Sequence, residues 1–232
     1  MNLNGKQTSG LESSPNRNDE LNISKMMWDL DWQEFVPFKL TDDISLHLVS
    51  FEEAQIFIEK NFSEIFMLDG KERFGARSGR GDSRLKYYQC LGEFFLFRNN
   101  IGEDIGVAIG TPLDWTAYNL RNVSILTSYQ NNGLDSFFLN FLCSVLAKHA
   151  VKKIIGDIAP SNRHHIHIVN KIGFMVTSMA LDDEFGALLH VTKYLDQSDE
   201  LRFGELFCGS CNSDQEHNKK FEFKNRTKNT TD

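Results

Sequence analysis

The amino-acid sequence predicts an α/β fold built on a mixed sheet. Residues Ile44, Leu46 and Leu48 alternate with polar residues, which is the period of two typical of a strand. Further strand patterns follow, and from about residue 117 the chain changes to a strand-helix-strand-helix order, as expected for an α/β domain. A hydrophobic content of 41% with 19 phenylalanines supports a packed core.

The elements before residue 60 are an aromatic segment, a strand and a helix. The stretch 26–38 is aromatic and apolar, so we expect it to pack on the domain. The strand at 44–48 is followed by Ser50, and Glu53 stands three residues later, which is the spacing of a capping box. The helix that begins there carries an apolar stripe at helical spacing, formed by Ala54, Phe57 and Ile58.

A loop and three strands are predicted between residues 69 and 127. The loop 69–86 is rich in glycine and arginine, and we interpret it as mobile and basic. Strands at about 92–98 and 105–110 are separated by a turn at 99–102, where Asn and Gly are the punctuating residues. Residues 117–127 form the third strand.

The second half of the chain alternates helix and strand. A strongly apolar helix is predicted over 134–149 and a strand over 153–158. A short helix over 162–171 follows. Two strands, at about 174–181 and 187–194, complete the predicted domain.

Both ends of the chain differ in composition from the middle. Residues 1–25 are polar and rich in Asn, Ser, Asp and Glu, so we expect a disordered tail. The predicted domain spans 26–200. Residues 201–232 form a carboxyl-terminal extension that we expect to be largely disordered.

Composition excludes several classes of function. A formal net charge of −7 argues against a general nucleic-acid binder, because binding phosphates requires a basic surface. No apolar run reaches the ~20 residues that cross a bilayer, and the amino terminus lacks the apolar region of a secretory signal. We therefore expect a cytoplasmic protein without a membrane partner.

The cysteines do not indicate a metal site. Cys208 and Cys211 form a C-x-x-C pair, and His217 lies six residues further on. A structural zinc site requires four ligands, and these are three. We interpret the pair as thiols near a loose carboxyl end and expect no metal.

One junction between a strand and a helix has the character of an anion site. Residues 128–135 form a short polar turn before the apolar helix, whose first N–H groups have no intrahelical partner and carry the positive end of the helix dipole. Gly133 allows the backbone to approach a phosphate closely. An ordinary tight turn between a strand and a helix is the alternative interpretation.

Two runs in this region resemble a known family. The run I-L-T-S-Y-Q-N-N-G-L-D at 125–135 resembles the pattern V-x-P-x-Y-[RQ]-x-x-G-x-[GA] of the GNAT acyl-CoA N-acyltransferases. The run N-R-H-H-I-H-I-V-N-K-I-G-F at 162–174 resembles their later block N-x-x-A-x-x-x-Y-x-K-x-G-F. The resemblance implies the GNAT fold, with a mixed, mostly antiparallel sheet flanked by helices.

The resemblance also implies a binding site for acetyl-CoA or another acyl-CoA as co-substrate. Backbone groups of Ile125 and Thr127 would contact the pantetheine arm, and Asn162 would hydrogen-bond near it. The N–H groups of the following loop would hold the pyrophosphate; these belong to Gln130, Asn131, Asn132, Gly133 and Leu134.

Three positions depart from the family pattern. Asp135 stands at the last small position of the phosphate loop, where a carboxylate would repel a pyrophosphate unless it turned away. Val169 stands where many members have a tyrosine acid for the departing thiolate. Asn119 stands on the fourth strand, where some members have a glutamate base.

The candidate acid and base residues are therefore drawn from nearby side chains. His164 and His167 are three residues apart and share a helix face, while His165 projects elsewhere. Our catalytic candidates are Tyr118, Asn119 and His164, and the wider set also contains Tyr129, His165 and His167.

The leading functional hypothesis is an acyl-CoA-dependent N-acyltransferase, specifically an N-acetyltransferase, acting by direct attack within a ternary complex. The acceptor would be a small-molecule or peptide amine, and residues 182–184 could attract a cationic one. Two alternatives remain: a GNAT-fold binding or regulatory module without turnover, and an acyltransferase whose donor is longer or is held by an acyl carrier protein. A homodimer is a further candidate assembly.

Overall fold

A computed structural model describes residues 23–66, 86–87, 89–182 and 186–208. Residues 1–22 and 209–232 of the predicted tails, and all but the last residue of the basic loop 69–86, lie outside the described residues; residues 23–25 and 201–208 of the tails are helical. The helices are α1 (Ile23–Trp28), α2 (Phe51–Lys60), α3 (Phe62–Phe66), α4 (Leu134–Lys148), α5 (Arg163–Ile172) and α6 (Gln197–Cys208). The strands are β1 (Phe38–Lys39), β2 (Ile44–Val49), β3 (Glu93–Asn99), β4 (Asp104–Asp114), β5 (Ala117–Ile125), β6 (Lys153–Ile158), β7 (Met175–Asp182) and β8 (Gly186–Tyr194).

The described strands form one sheet in the order β1-β2-β3-β4-β5-β6-β8-β7. Strands β5 and β6 are parallel to each other. Every other pair of neighbours is antiparallel. The predicted fold class, a mixed and mostly antiparallel sheet flanked by helices, is confirmed.

Strands β5 and β6 separate after a short paired stretch. Their register joins residues 117–119 to residues 153–155, and no pairing between them continues beyond Asn119. Both strands run on, to Ile125 and Ile158. The sheet is therefore split at its centre, and within the described residues the facing edges of the two strands have no strand partner there.

Helices cover the two faces of the sheet. Phe95 and Phe97 pack with α4, whereas Phe94 and Leu96 pack with α2. Consecutive residues of a strand point to opposite faces, so α4 and α2 lie on opposite sides of β3. The aromatic segment 26–38 packs on the same face of the sheet as α4, and its Trp32 side chain is 1% exposed.

The start of α2 is as the sequence predicts. The hydroxyl of Ser50 accepts a hydrogen bond from the Glu53 N–H at 3.3 Å. The Glu53 carboxylate in turn accepts one from the Ser50 N–H at 3.0 Å. Both bonds of the capping box are therefore present, and the predicted helix start is confirmed.

Other boundaries differ from the predicted ones. Strand β4 continues past the predicted end at about residue 110, through Pro112, to Asp114. A register shift between Pro112 and Asp114 accommodates the proline, because a bulge removes the need for its missing N–H. Strand β5 ends at Ile125, since residues 127–129 turn into a short 3₁₀ helix.

The chain divides into two compact units, the first ending at Asp196 and the second beginning at Gln197. The described part of the second unit is helix α6, an element that the sequence did not predict. Of the helices in the described residues, none is both long and apolar enough to cross a membrane.

Candidate functional site

A cavity of about 180 Å³ occupies the split between β5 and β6. Strand β5 contributes residues 120–124 to its wall and β6 contributes residues 155–158. Helix α5 contributes Asn162 at its cap, His165 and Val169, and α3 contributes Ile65. The wall therefore combines two strand edges with the amino-terminal half of a helix.

A bulge in β5 lies at this cavity. Ile109 of β4 pairs with Asn122, but the next residue, Gly110, pairs with Leu120, so Arg121 is the extra residue. A bulge re-aims the side chains beside it. The carbonyl oxygen of the Asn122 side chain is buried at the cavity and has no hydrogen-bond partner among the described residues. An unsatisfied buried acceptor is costly, which makes this atom a natural partner for a donor on a ligand.

Glycine permits the close approach of the two strands where they begin to diverge. A Cβ atom added at Gly156 would lie 3.1 Å from the Leu120 carbonyl oxygen. A larger residue here would push β6 away from β5. Gly156 therefore helps to set the width of the cavity at its narrow end.

The amino terminus of α4 forms the second part of the site. Its cap residue, Gly133, has a φ of 72° and supplies no side-chain cap. Asn131 also has a positive φ, of 65°. The N–H groups of the first turn have no carbonyl acceptor within the helix, which is the usual basis of an anion site, and the N–H of Asp135 bonds to the carboxylate of the same residue.

Side chains of the preceding loop stabilise its shape. The Gln130 side chain donates to the Ile125 carbonyl oxygen at 2.8 Å. The Asn132 side chain donates to the Tyr129 carbonyl oxygen at 3.3 Å. These side-chain amides therefore bond within the loop. The backbone N–H of Gln130 also bonds within it, to the Thr127 carbonyl oxygen at 3.3 Å, and is not left for a ligand.

Asp135 interacts with the histidines of α5. Burial raises the pKa of its carboxyl group, and the nearby His165 and His164 partly oppose that rise. Burial likewise lowers the pKa of His165, with Asp135 acting in the opposite direction. The Asp135 carboxylate is therefore buried beside the histidines of α5.

The other predicted cofactor residues surround these features. Ile125 ends β5 and is buried. The Thr127 N–H donates to the carboxylate of Glu64 on α3. Asn162 caps α5, where its side-chain oxygen accepts from the His165 N–H at 3.1 Å, and it lines the cavity. Their roles in binding a cofactor stay predictions.

The three catalytic candidates lie in different surroundings. Tyr118 is fully buried and is not part of the cavity wall. Asn119 is the last residue of β5 that pairs with β6, at the start of the split. His164 is exposed, and its neighbour His165 lines the cavity instead. One feature of the sequence indicates that His165 faces the cavity. It stands four residues before the apolar Val169 and therefore shares its helix face.

Tyr118 belongs to a buried polar cluster with Glu93, Trp32 and Ser24. Its ring lies over Gly110, where an added Cβ atom would meet the hydroxyl at 2.0 Å. The Ser24 hydroxyl donates to one carboxylate oxygen of Glu93. Burial raises the pKa of Glu93 to about 7, although Ser24, Tyr118 and Trp32 all favour its ionised form. Burial and the neighbouring carboxylate raise the pKa of Tyr118 well above its usual range.

An aspartate–histidine pair was missed by sequence reasoning. Asp157 of β6 lies directly opposite His190 of β8, and its carboxylate contacts Nδ1 of the imidazole. The two residues are far apart in the chain and belong to no local motif. Only the pairing of β6 with β8 brings them together, so the sequence offered no signal for them.

A metal site is not evident in the described part of the chain. No group of three or more His, Cys, Asp or Glu residues there is placed to hold an ion. Cys208 ends α6, and Cys211 and His217 lie outside the described residues.

Solved structures of similar architecture are acetyltransferases. The ribosomal-protein-S5-alanine acetyltransferase of Vibrio fischeri has a TM-score of 0.53 at 15% identity, over 70% of this chain and 98% of its own. Spermidine N-acetyltransferase from Vibrio cholerae, in complex with CoA and spermine, has a TM-score of 0.51 at 13% identity, over 69% and 99%. The IAA acetyltransferase of Bacillus cereus has a TM-score of 0.51 at 13% identity, over 65% and 99%.

Sequence comparison adds no relative, since no protein-family model and no curated protein matches the chain. The structural likeness spans nearly the full length of each similar protein. It includes the mixed sheet flanked by helices that the two sequence runs imply. The chain has the fold of the GNAT acetyltransferases.

Proposed function

We propose that this protein is an acyl-CoA-dependent N-acyltransferase, and specifically an N-acetyltransferase, that transfers the acyl group to an amine by direct attack in a ternary complex. The observation that carries the proposal is the split between β5 and β6, together with the uncapped amino terminus of α4. A split sheet offers a slot for an extended thioester arm. A free helix terminus offers N–H groups to its pyrophosphate.

The residues present fit such a donor. The N–H groups of residues 134 and 136 would hold the pyrophosphate, with Gly133 leaving room for close approach. The unpaired edge of β5 would bond the amides of the pantetheine arm as an added strand does. The Asn122 side-chain oxygen, buried without a partner, would accept from a donor within the cavity.

Catalysis would rest mainly on positioning. Holding an amine against a thioester in the right orientation supplies roughly 7–11 kcal/mol of the barrier. An acyl-cysteine intermediate is disfavoured, because no cysteine of the described residues lines the cavity; burial also raises the pKa of the Cys143 thiol to about 11. Direct attack by the amine fits these surroundings.

The acceptor class follows from the same proposal. The acetyltransferases of similar fold are named for spermidine and for the alanine of ribosomal protein S5. A test panel should therefore contain polyamines and peptides with a free amino terminus. Turnover would be followed by mass spectrometry of the acylated product.

Calorimetry tests the donor site directly. Acetyl-CoA, CoA and pantetheine would be titrated against the protein, and we expect pantetheine, which lacks the phosphates, to bind at least about tenfold more weakly. Asn132→Asp adds a negative charge to the loop and should weaken acetyl-CoA binding about tenfold without affecting pantetheine. Asn140→Asp, which adds the same charge at an exposed position further along α4, is the matched control. Absence of binding at millimolar acetyl-CoA would refute the proposal.

A binding or regulatory module without turnover is the second candidate. The observation that favours it is Val169, which lines the cavity where the resembled family has a tyrosine hydroxyl. Binding of acetyl-CoA with no acylated product across the amine panel would favour this alternative. Any acylated product would exclude it.

A further inference from the structure

Asp157 and His190 form a pair beside the cavity. Asp157 lines the cavity from β6, and its carboxylate contacts Nδ1 of His190 on β8. The side chains are 42% and 43% exposed, so a small molecule could reach both. A carboxylate that accepts a hydrogen bond from Nδ1–H fixes the tautomer of the ring and leaves Nε2 as a proton acceptor.

The pair shares a face of the sheet with the bulge residue Asn122. Ile154 and Ile158 of β6 pack into the core cluster on the α4 face. Consecutive residues of a strand point to opposite faces, so Asp157, next to Ile158, lies on the other face. Asn122 pairs with Ile109, which packs with α2 on that same opposite face. The bulge and the pair therefore flank the split from its two sides.

Few other ionisable groups belong to the described surroundings of the pair. Directly opposite His190 on β7 stands Ser178, which carries no charge. Across the cavity, β5 contributes Arg121 and α5 contributes His165. The carboxylate of Glu64 on α3 is engaged by the Thr127 N–H. Asp157 is therefore the carboxylate in direct contact with the imidazole.

We propose that His190 is the proton acceptor for the amine and that Asp157 is its positioning residue. This inference rests on the proposed acyltransferase function. The amine nitrogen attacks the thioester carbonyl carbon, and a C–N bond forms. The C–S bond then breaks and CoA leaves as its thiolate, while the proton of the amine passes to Nε2 of His190. The imidazolium is stabilised by the Asp157 carboxylate, as in other Asp-His arrangements.

Steady-state kinetics with acetyl-CoA and the best amine of the panel test the assignment. His190→Gln should lower kcat about 100-fold or more, the usual contribution of a general base. It should leave the Kd for acetyl-CoA within about twofold, because the donor binds through β5 and α4. The matched control is His47→Gln, a histidine on β2 that is remote from the split, and it should retain full activity.

A pH profile separates proton transfer from a structural role. The acidic limb of kcat/KM should be present in the wild-type protein and lost in His190→Gln. In His190→Ala, added imidazole should restore at least about tenfold of the lost rate, since the side chain is accessible to solvent. Asp157→Asn should reduce kcat about tenfold and leave the Kd for acetyl-CoA within about twofold.

The outcomes distinguish the two proposals. If wild-type protein acetylates an amine but His190→Gln keeps its rate and its pH profile, the role of His190 is overturned and the proposed function stands. If wild-type protein yields no acylated product from any amine, both proposals fall. If His190→Gln does not fold, the assignment is tested by the imidazole rescue of His190→Ala. Imidazole would restore no activity if the role of His190 were purely structural.

Discussion

The two halves of the sheet differ in how they use their faces. In the half from β2 to β4, strands β3 and β4 are buried on both faces, and Phe94, Phe95, Leu96 and Phe97 are each at most 3% exposed. In the half from β6 to β8, one face carries polar residues such as Asp157 and His190. The first half has the features of a scaffold, and the second leaves polar groups accessible beside the cavity. The proposed catalytic pair lies in the half of the sheet whose polar face is exposed in the described part of the chain.

Removing a large side chain from the buried half should have the largest effect on stability. Phe95→Ala should lower the free energy of unfolding by about 3–5 kcal/mol, because the ring is completely buried between Trp32 and Phe138. Leu181→Ala on β7, where the side chain is 83% exposed, should change it by less than about 0.5 kcal/mol. Urea denaturation of both variants measures the difference. Equal losses would remove the contrast between the halves.

Glu93 should make stability depend on pH within the buried half. Its pKa of about 7 in the folded protein is above the ordinary value of 4.5, so folding favours the protonated form. The stabilisation is complete below pH 4.5 and is lost as the pH rises through 7, at a cost of up to about 3 kcal/mol. Glu93→Gln should remove this dependence. Its unfolding free energy between pH 5 and pH 8 is compared with that of the wild-type protein, and parallel curves would contradict the assignment.

A single added methyl group should show how tightly the scaffold half is packed. Gly110→Ala would place a Cβ atom 2.0 Å from the Tyr118 hydroxyl. Either the backbone at residue 110 or the ring of Tyr118 would therefore have to shift. We expect a loss of about 1–3 kcal/mol in unfolding free energy. Gly204→Ala in α6, where nothing lies within 4 Å of the added atom, should cause no loss. Thermal unfolding of the two variants checks the expectation.

The polar pair should contribute little to stability in spite of its contact. Asp157→Asn should change the unfolding free energy by less than about 1 kcal/mol, because both side chains are substantially exposed and solvent screens the charges. Chemical denaturation at neutral pH provides the measurement. A loss of several kcal/mol would show that the pair holds the sheet together, and would blur the distinction between scaffold and functional face.

Local patterns in the chain predict much of this fold. Ser50 and Glu53 predict the start of α2 through a capping box that the structure contains, because its hydrogen bonds join residues three apart. The strand at 153–158 agrees residue for residue. Helix α4 ends one residue before its predicted end. Such signals depend on neighbours along the chain, and they are readable without knowing what the element packs against.

Only part of the candidate site can be predicted from such local signals. The loop before α4 and the cap residue Asn162 follow from local sequence, and Asn162 does line the cavity. The depth of Tyr118 does not follow, since it depends on Gly110 and Glu93 in two other strands. The choice of His165 over His164 depends on how α5 is rotated against the sheet, and only a buried Val169 on the same face hints at it.

The sequence by itself determined the order of the central strands and helices from β2 to β8, except α3, and the turn before α4 that contains Gly133. These depend on backbone conformations and hydrogen bonds within a few residues. Only the tertiary structure decided that β5 and β6 separate beyond Asn119 and that Asp157 meets His190. Register between strands is set by the packing of the whole sheet. The contact between Asp157 and His190 therefore cannot be predicted from the sequence of either strand alone.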